Sequence, residues 1–405
     1  MNVEEVVRNA LREQAEGQPP VGPGFADRVL AARRRRRVRG AVSVAVATAA
    51  VVVGVSVTVP VVGSGEREVR PAGVVEQRDV HAHPDQSPPR DLVAAGDVAL
   101  AAYYTSEVVA RSESAGVAER TYHLLDPRSG RYEEDDRWSF VAVAPGLRTA
   151  AVLERELPAR RIGLLDLASG EVERWIPVEH GVGGLAFSPD GKRLVATAYA
   201  EHPDLREPIE TEHGEDWTVR FGEPNRLGFH LVELSSGEST WSPVEPRDDI
   251  NHREDFAFGA DGTTVWSRVV GSDSERQYHA PTGEEIPAPA PERHLVHDAP
   301  AGLSPDGTLA AGGLGREAGD KAYTDLLDPR SGKRVAEVRG SGAMVWADER
   351  RLITWERLPG SGTDSYRPRM VLVTVGSEKV VPLTGVREPN QTLSRTEWEP
   401  VFARR

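Results

Sequence analysis

The sequence has no cysteine among its 405 residues and only four lysines, Lys192, Lys321, Lys333 and Lys379. The missing cysteine excludes disulfides, thiolate metal sites, a cysteine nucleophile and lipid attachment at a cysteine. The other basic residues are all arginine, the pattern of high-GC coding. Positive charge is in deficit, with 49 Lys+Arg against 63 Asp+Glu and a net charge of -14. That balance argues against a nucleic-acid-binding body. Enzyme signatures are missing too: no Gly-x-Ser-x-Gly elbow, no His-Glu-x-x-His, no phosphate-cradling Gly-x-x-x-x-Gly-Lys and no Gly-x-Gly-x-x-Gly. Gly312-Gly313-x-Gly315 follows a strand pattern but opens no helix. Nothing calls for a cofactor, and the chain reads as a non-enzyme.

What is present falls into compartments. Residues 1–40 hold nine arginines against five acids, residues 41–63 carry no charge, and the acidic excess lies beyond. Ala41 to Val62 is an uncharged run of 22 residues, eleven of them valine. As a helix it would be about 33 Å long, enough for a hydrocarbon core of about 30 Å. Arg33, Arg34, Arg35, Arg36, Arg37 and Arg39 precede it. By the positive-inside rule they would keep the N-terminus cytoplasmic, contact anionic lipid and export the body. The expected topology is thus a single-pass signal anchor in a bacterial cell membrane with an extracytoplasmic body. A cleaved signal peptide is the competing reading, weakened by the long leader and the bulky Thr58-Val59-Pro60-Val61-Val62. Val3, Val6, Val7, Ala10 and Leu11 fall on one helical face, so residues 1–40 read as a short basic helical head. Residues 63–90, broken by Pro71, Pro84, Pro88 and Pro89, read as a linker, with His81 and His83 as solvated side chains.

Residues 91–405 read as a repeat array. One turn signal is Phe187-Ser188-Pro189-Asp190-Gly191, repeated as Leu303-Ser304-Pro305-Asp306-Gly307 and more weakly at Phe258–Gly262, Val143–Gly146 and Trp346–Glu349. Ser, Pro, Asp and Gly in that order suit a type I turn between strands. A second signal, Ser-Gly or Thr-Gly, has its glycines at 130, 170, 237, 283, 332 and 376. Both series recur at about 40–45 residues, the period of four-stranded propeller blades. Both stretch across the same Glu201–Arg226 insertion.

The Phe-Ser-Pro-Asp-Gly-Lys-Arg-Leu at 187–194 resembles the repeat of WD40-like, TolB-type β-propellers. The whole layout is similar to the uncharacterised, membrane-anchored WD40-like repeat proteins of bacteria. The resemblance covers roughly residues 91–385 and implies an all-β, six-bladed propeller, with seven blades the alternative. With the single transmembrane helix and the helical head in front, it completes the expected fold. It carries architecture and no activity.

One constellation stands out. His180, His252 and His297 lie nine, eight and eight residues before the second positions of their first turns, with Asp255 and Asp298 close by. That spacing places them in equivalent loops around one mouth of the central channel. Either each histidine caps its own blade by hydrogen bonding, or they share a ligand or metal. The functional expectation is a binding or scaffold module for a protein, peptide or glycan, with signalling through the head as a variant. The alternative is a propeller hydrolase, lyase or lactonase with a metal in the channel.

Overall fold

A computed structural model describes residues 79–211, 214–220, 225–245, 253–269, 275–318, 321–359, 366–388, 392 and 394–405. Among them the strands group into six antiparallel modules. The first holds β1 (Ala94–Ala95), β2 (Val98–Ala110), β3 (Gly116–Asp126) and β4 (Arg131–Asp135). The second runs through β5 (Trp138–Val143), β6 (Thr149–Glu154), β7 (Ala159–Asp166) and the first half of β8 (Glu171–Phe187). The second half of β8 opens the third module, which continues through β9 (Arg193–Tyr199). After β9 comes an inserted hairpin, β10 (Leu205–Thr211) and β11 (Gly214–Val219), and then β12 (Arg226–Glu233) and β13 (Glu238–Pro243) complete the module. The fourth is short: β14 (Ala257–Phe258), β15 (Val265–Arg268), β16 (Arg276–His279) and β17 (Glu285–Ile286). The fifth joins β18 (Ala310–Ala318), β19 (Lys321–Leu327) and β20 (Arg334–Arg339), with Leu303 bridging Ala310 as its inner edge. The sixth is β21 (Ser341–Trp346), β22 (Arg351–Pro359), β23 (Tyr366–Thr374) and β24 (Val380–Pro382). Last, β25 (Arg395–Arg404) pairs with β2 from Val98↔Arg404 to Glu107↔Arg395, so the chain's final strand completes its first module.

The inner strands are buried on both faces, as in Trp138–Val143, because each sheet is sandwiched between two neighbours. Small residues such as Ala101, Ala102, Ala150, Ala196 and Ala311 let the sheets approach. Outer strands such as β4 are mostly exposed. Among the described residues, six apolar clusters lie one at each junction between consecutive modules, the last joining the sixth to the first through Trp398 and Phe402. This is a β-propeller, closed by a strand from the C-terminal end.

The turn chemistry takes the expected form. Gly191 N and Gly307 N each donate to a serine carbonyl at 2.8 Å, Ser188 and Ser304 hydroxyls donate to Asp190 and Asp306, and both glycines sit at φ near +69° and +68°. Only glycine takes that backbone freely.

The expected fold class is corrected in its N-terminal part. The described residues are nearly all β, with one 3₁₀ turn at Ala290–Glu292 and no helix long and apolar enough to cross a membrane. The physical ground is that the described apolar runs are short, and the longest of them are paired into sheets. The head at 1–40, the run at 41–62 and its arginines lie outside the described residues. On the linker side of residue 91, His81 bridges Ala94 and His83 bridges Thr384, so residues 79–90 join the propeller.

Candidate functional site

The mouth formed by the loops before the innermost strands is organised by one buried carboxylate. Asp204, at the foot of the inserted hairpin, is 1% exposed. Arg120 of β3 donates to it through both Nη atoms at 2.9 Å each. Arg253, ahead of β14, donates through Nε at 2.9 Å and Nη2 at 2.6 Å. Two forked guanidiniums on one carboxylate fill its lone pairs, the geometry in which such bonds are strongest. Burial alone would raise the Asp204 pKa, but Arg120 and Arg253 hold it well below the ordinary carboxylate range. Arg253 Nη1 continues to Asp255 Oδ2 at 3.0 Å, and the Tyr199 hydroxyl donates to Asp255 Oδ1 at 2.7 Å. Burial, then Asp255, raises the Tyr199 pKa far above normal, so this phenol stays protonated.

The hub spans four modules. Arg120 comes from the first and also donates to Ser139 O of the second at 3.2 Å. Arg253, from the fourth, also donates to Gly183 O of the third. Gly184 admits the Asp255 carboxylate, since a Cβ there would lie 2.0 Å from Oδ1. The hairpin also crosses to the first module. Leu205 and Arg206 pair with Val117 and Gly116, and Trp217 lies over Gly116, where a Cβ would be 3.0 Å from its ring. His202, beside Asp204, has its pKa pulled down to about 4, chiefly by burial.

The residues expected at the mouth part company. His180, half-exposed in β8, stacks on Trp241 with ring centroids 4.0 Å apart. Its backbone N–H donates to His230 Nε2 at 3.3 Å, while His230 Nδ1 lies 3.0 Å from Ser239 Oγ. The first contact makes Nε2 the acceptor, so Nδ1 carries the proton and His230 is neutral. Burial, then His180, lowers the His230 pKa to about 4. Asp255 belongs to the Asp204 hub. His297 is 4% exposed, with Nε2 2.7 Å from Asp298 Oδ1. His252 lies outside the described residues. Among the described residues no group of three or more His, Asp or Glu is placed to hold a metal ion.

Sequence reasoning missed Asp204, Arg120, Tyr199 and His230. No spacing signals them: the hub partners of Asp204, Arg120 and Tyr199 come from other modules, and His230 meets Ser239 and Trp241 only through the β12–β13 pairing. Arg253, two residues before Asp255, had the nearest thing to a sequence clue.

No family model matches the chain, and none of the curated proteins does. Solved structures to which it is similar include TolB from Acinetobacter baumannii, at 15% identity and a TM-score of 0.38 over 75% of this chain and 66% of that one. A second is Kuenenia stuttgartiensis hydrazine synthase, at 14% and 0.34 over 60% of this chain and 64% of that one. A third is a putative TolB from Agrobacterium tumefaciens, at 10% and 0.34 over 77% and 99%. The chain spans slightly less than two thirds of the first two. At such TM-scores these likenesses carry no argument, and the propeller stands on its strand pairings.

Proposed function

We propose that the protein is a binding module whose recognition surface is the inserted hairpin, and that its partner is an extended, basic polypeptide. The observation that carries this is the register of β10 and β11. It sets Glu210 directly opposite Glu215 on the exposed end of the hairpin. Like charges facing each other across a strand pair oppose folding, and a cation between them would relieve that cost. Beside them β11 ends its sheet, with no strand on its outer side among the described residues. Such an edge accepts an added strand through backbone hydrogen bonds, while side-chain charge sets preference. The Asp204 hub and Trp217 hold the hairpin to the ring, so the edge is presented on a rigid base. The ionisable groups at the mouth are engaged with one another, which suits a frame better than acid–base chemistry.

The test is fluorescence anisotropy of labelled decapeptides alternating valine with lysine or with glutamate. The lysine peptide should bind, weaken with salt, and lose most of its affinity in a Glu210→Gln/Glu215→Gln protein. Equal binding of both peptides, or indifference to the double substitution, would overturn the reading.

A further inference from the structure

The inserted hairpin is seated through the backbone of Asp204 as well as through its carboxylate. The Asp204 carbonyl accepts from Ala118 N of β3 at 3.0 Å, where the pairing of β10 with the first module begins. On the other side of the same residue, the Asp204 N–H donates to His202 Nδ1 at 3.1 Å. That bond needs Nδ1 unprotonated, so the ring is neutral with its proton on Nε2. Asn225 holds the loop just before it, accepting from Glu201 N at 2.6 Å and donating to Glu201 O at 3.0 Å. Pro203 is clamped as well, since a Cβ on Gly183 would lie 2.7 Å from its ring. His202 is thus the contact in this foot that a proton breaks.

The surroundings oppose that proton. Arg253 faces the imidazole from ahead of β14, Arg120 from β3, Arg111 from the turn after β2, and Asp204 from its own loop. Arg120 and Arg253 are shared with Asp204, while Arg111 pairs with Glu119 and Glu201 with Arg220. Burial first, helped by the three guanidiniums, outweighs Asp204 and holds the His202 pKa down at about 4. Protonation would set a ring N–H against the Asp204 N–H and add a cation beside Arg120 and Arg253. The seated form binds fewer protons than a released one, in which the ring regains its ordinary 6.5. Its contribution to seating is therefore full above about 6.5 and is lost as pH falls toward 4. Those two values shift the balance toward release by about twentyfold between pH 7 and pH 5. Partial exposure of the ring lowers the expectation to about tenfold.

We propose that His202 is an acid-sensitive latch: neutral, it seats the hairpin, and protonated, it lets the hairpin leave the first module and withdraws the recognition edge. The latch stands on the contacts at Asp204; that it governs binding rests on the reading of the β11 edge. Amide hydrogen exchange of the full chain tests it, read on Leu205–Thr211 and Gly214–Val219 and corrected for each amide's intrinsic rate. Hairpin protection should fall by about tenfold from pH 7 to pH 5 while β5 to β7 hold theirs. His202→Asn keeps a side-chain acceptor but takes no proton, so its hairpin should stay protected at both pH values. Over the same interval the valine–lysine decapeptide should lose more affinity for the wild type than for His202→Asn. Wild-type hairpin protection that does not change between pH 7 and pH 5 overturns the latch whether or not the variant seats its hairpin. An equal fall in His202→Asn, or a His202 ring that titrates at 6.5 in the folded wild type, overturns it too. A latch seen in exchange without decapeptide binding at pH 7 would support the latch and overturn the edge reading instead.

Discussion

Two stretches of the ring are held together by different physics. From the first module to the fourth, neighbours share broad apolar clusters, and one buried hub of Asp204, Arg120, Arg253 and Asp255 ties all four at the mouth. Between the fourth and fifth, the buried apolar cluster among the described residues is Leu295, Leu303 and Ala310, with Ala260 and Leu327 packed against it. Polar bonds stand in there: Glu292 accepts from Ala260 N at 2.7 Å and from the Tyr278 hydroxyl at 3.1 Å. A closed ring opens most readily where the junction between neighbouring modules is thinnest and no long-range contact spans it. The difference predicts where this one opens first.

The hub should give the largest effect. Asp204→Ala would leave Arg120 and Arg253 buried without their shared anion, and breaking such a pair costs about 3–5 kcal/mol. Urea denaturation should show a loss of that order, with the hairpin released to protease. A loss under about 1 kcal/mol would mean that water reaches the guanidiniums and that the hub staples nothing.

Leu303→Ala strikes the thin junction. A buried Leu→Ala change costs about 2–5 kcal/mol, and the low end is expected where few neighbours line the cavity. Hydrogen exchange should register it first in the fourth and fifth modules, with the hub region still protected. Uniform acceleration around the ring would show that the junctions are equivalent after all.

A local turn should matter less than either. Gly307 has open space where a Cβ would be added, so Gly307→Ala tests backbone strain alone at φ +68°. About 1 kcal/mol is expected. A neutral result would place the conformational demand elsewhere in the Ser304–Gly307 turn.

These sizes run opposite to legibility. The Ser-Pro-Asp-Gly and Ser-Gly turns could be read because their bonds close within five residues, and so the repeat period and the modules followed. The hub could not, because Arg120 and Asp204 are joined across two modules by a hairpin whose pairing with β3 no local pattern encodes. His180, His252 and His297 were expected in equivalent loops; His180 lies within β8, and His252 lies outside the described residues. Local partners take up the other side chains: Trp241 for His180, Asp298 for His297 and Tyr199 for Asp255. Closure by β25 was likewise invisible, since Arg395–Arg404 has no turn signal of its own.

The two regions should also differ in the sign of their response to pH. Asp204 has a folded pKa below its ordinary 3.8, set against burial by Arg120 and Arg253. In that window the unfolded chain binds more protons, so its contribution is full above about 3.8 and is lost as pH falls. Glu292 is the reverse, its pKa raised above 4.5 first by burial. There the folded chain binds more protons, so its contribution is present below 4.5 and fades as pH rises through the folded value. Stability measured against pH for the wild type minus Asp204→Asn should therefore climb with pH at the acid end. The same difference for Glu292→Gln should decline with pH above 4.5, by less than the hub's change, because Glu292 keeps neutral partners in Tyr278 and Ala260. Slopes of the same sign for both would mean that Glu292 is ionised in the fold, and that the fourth and fifth modules are held by charge in the way the first four are.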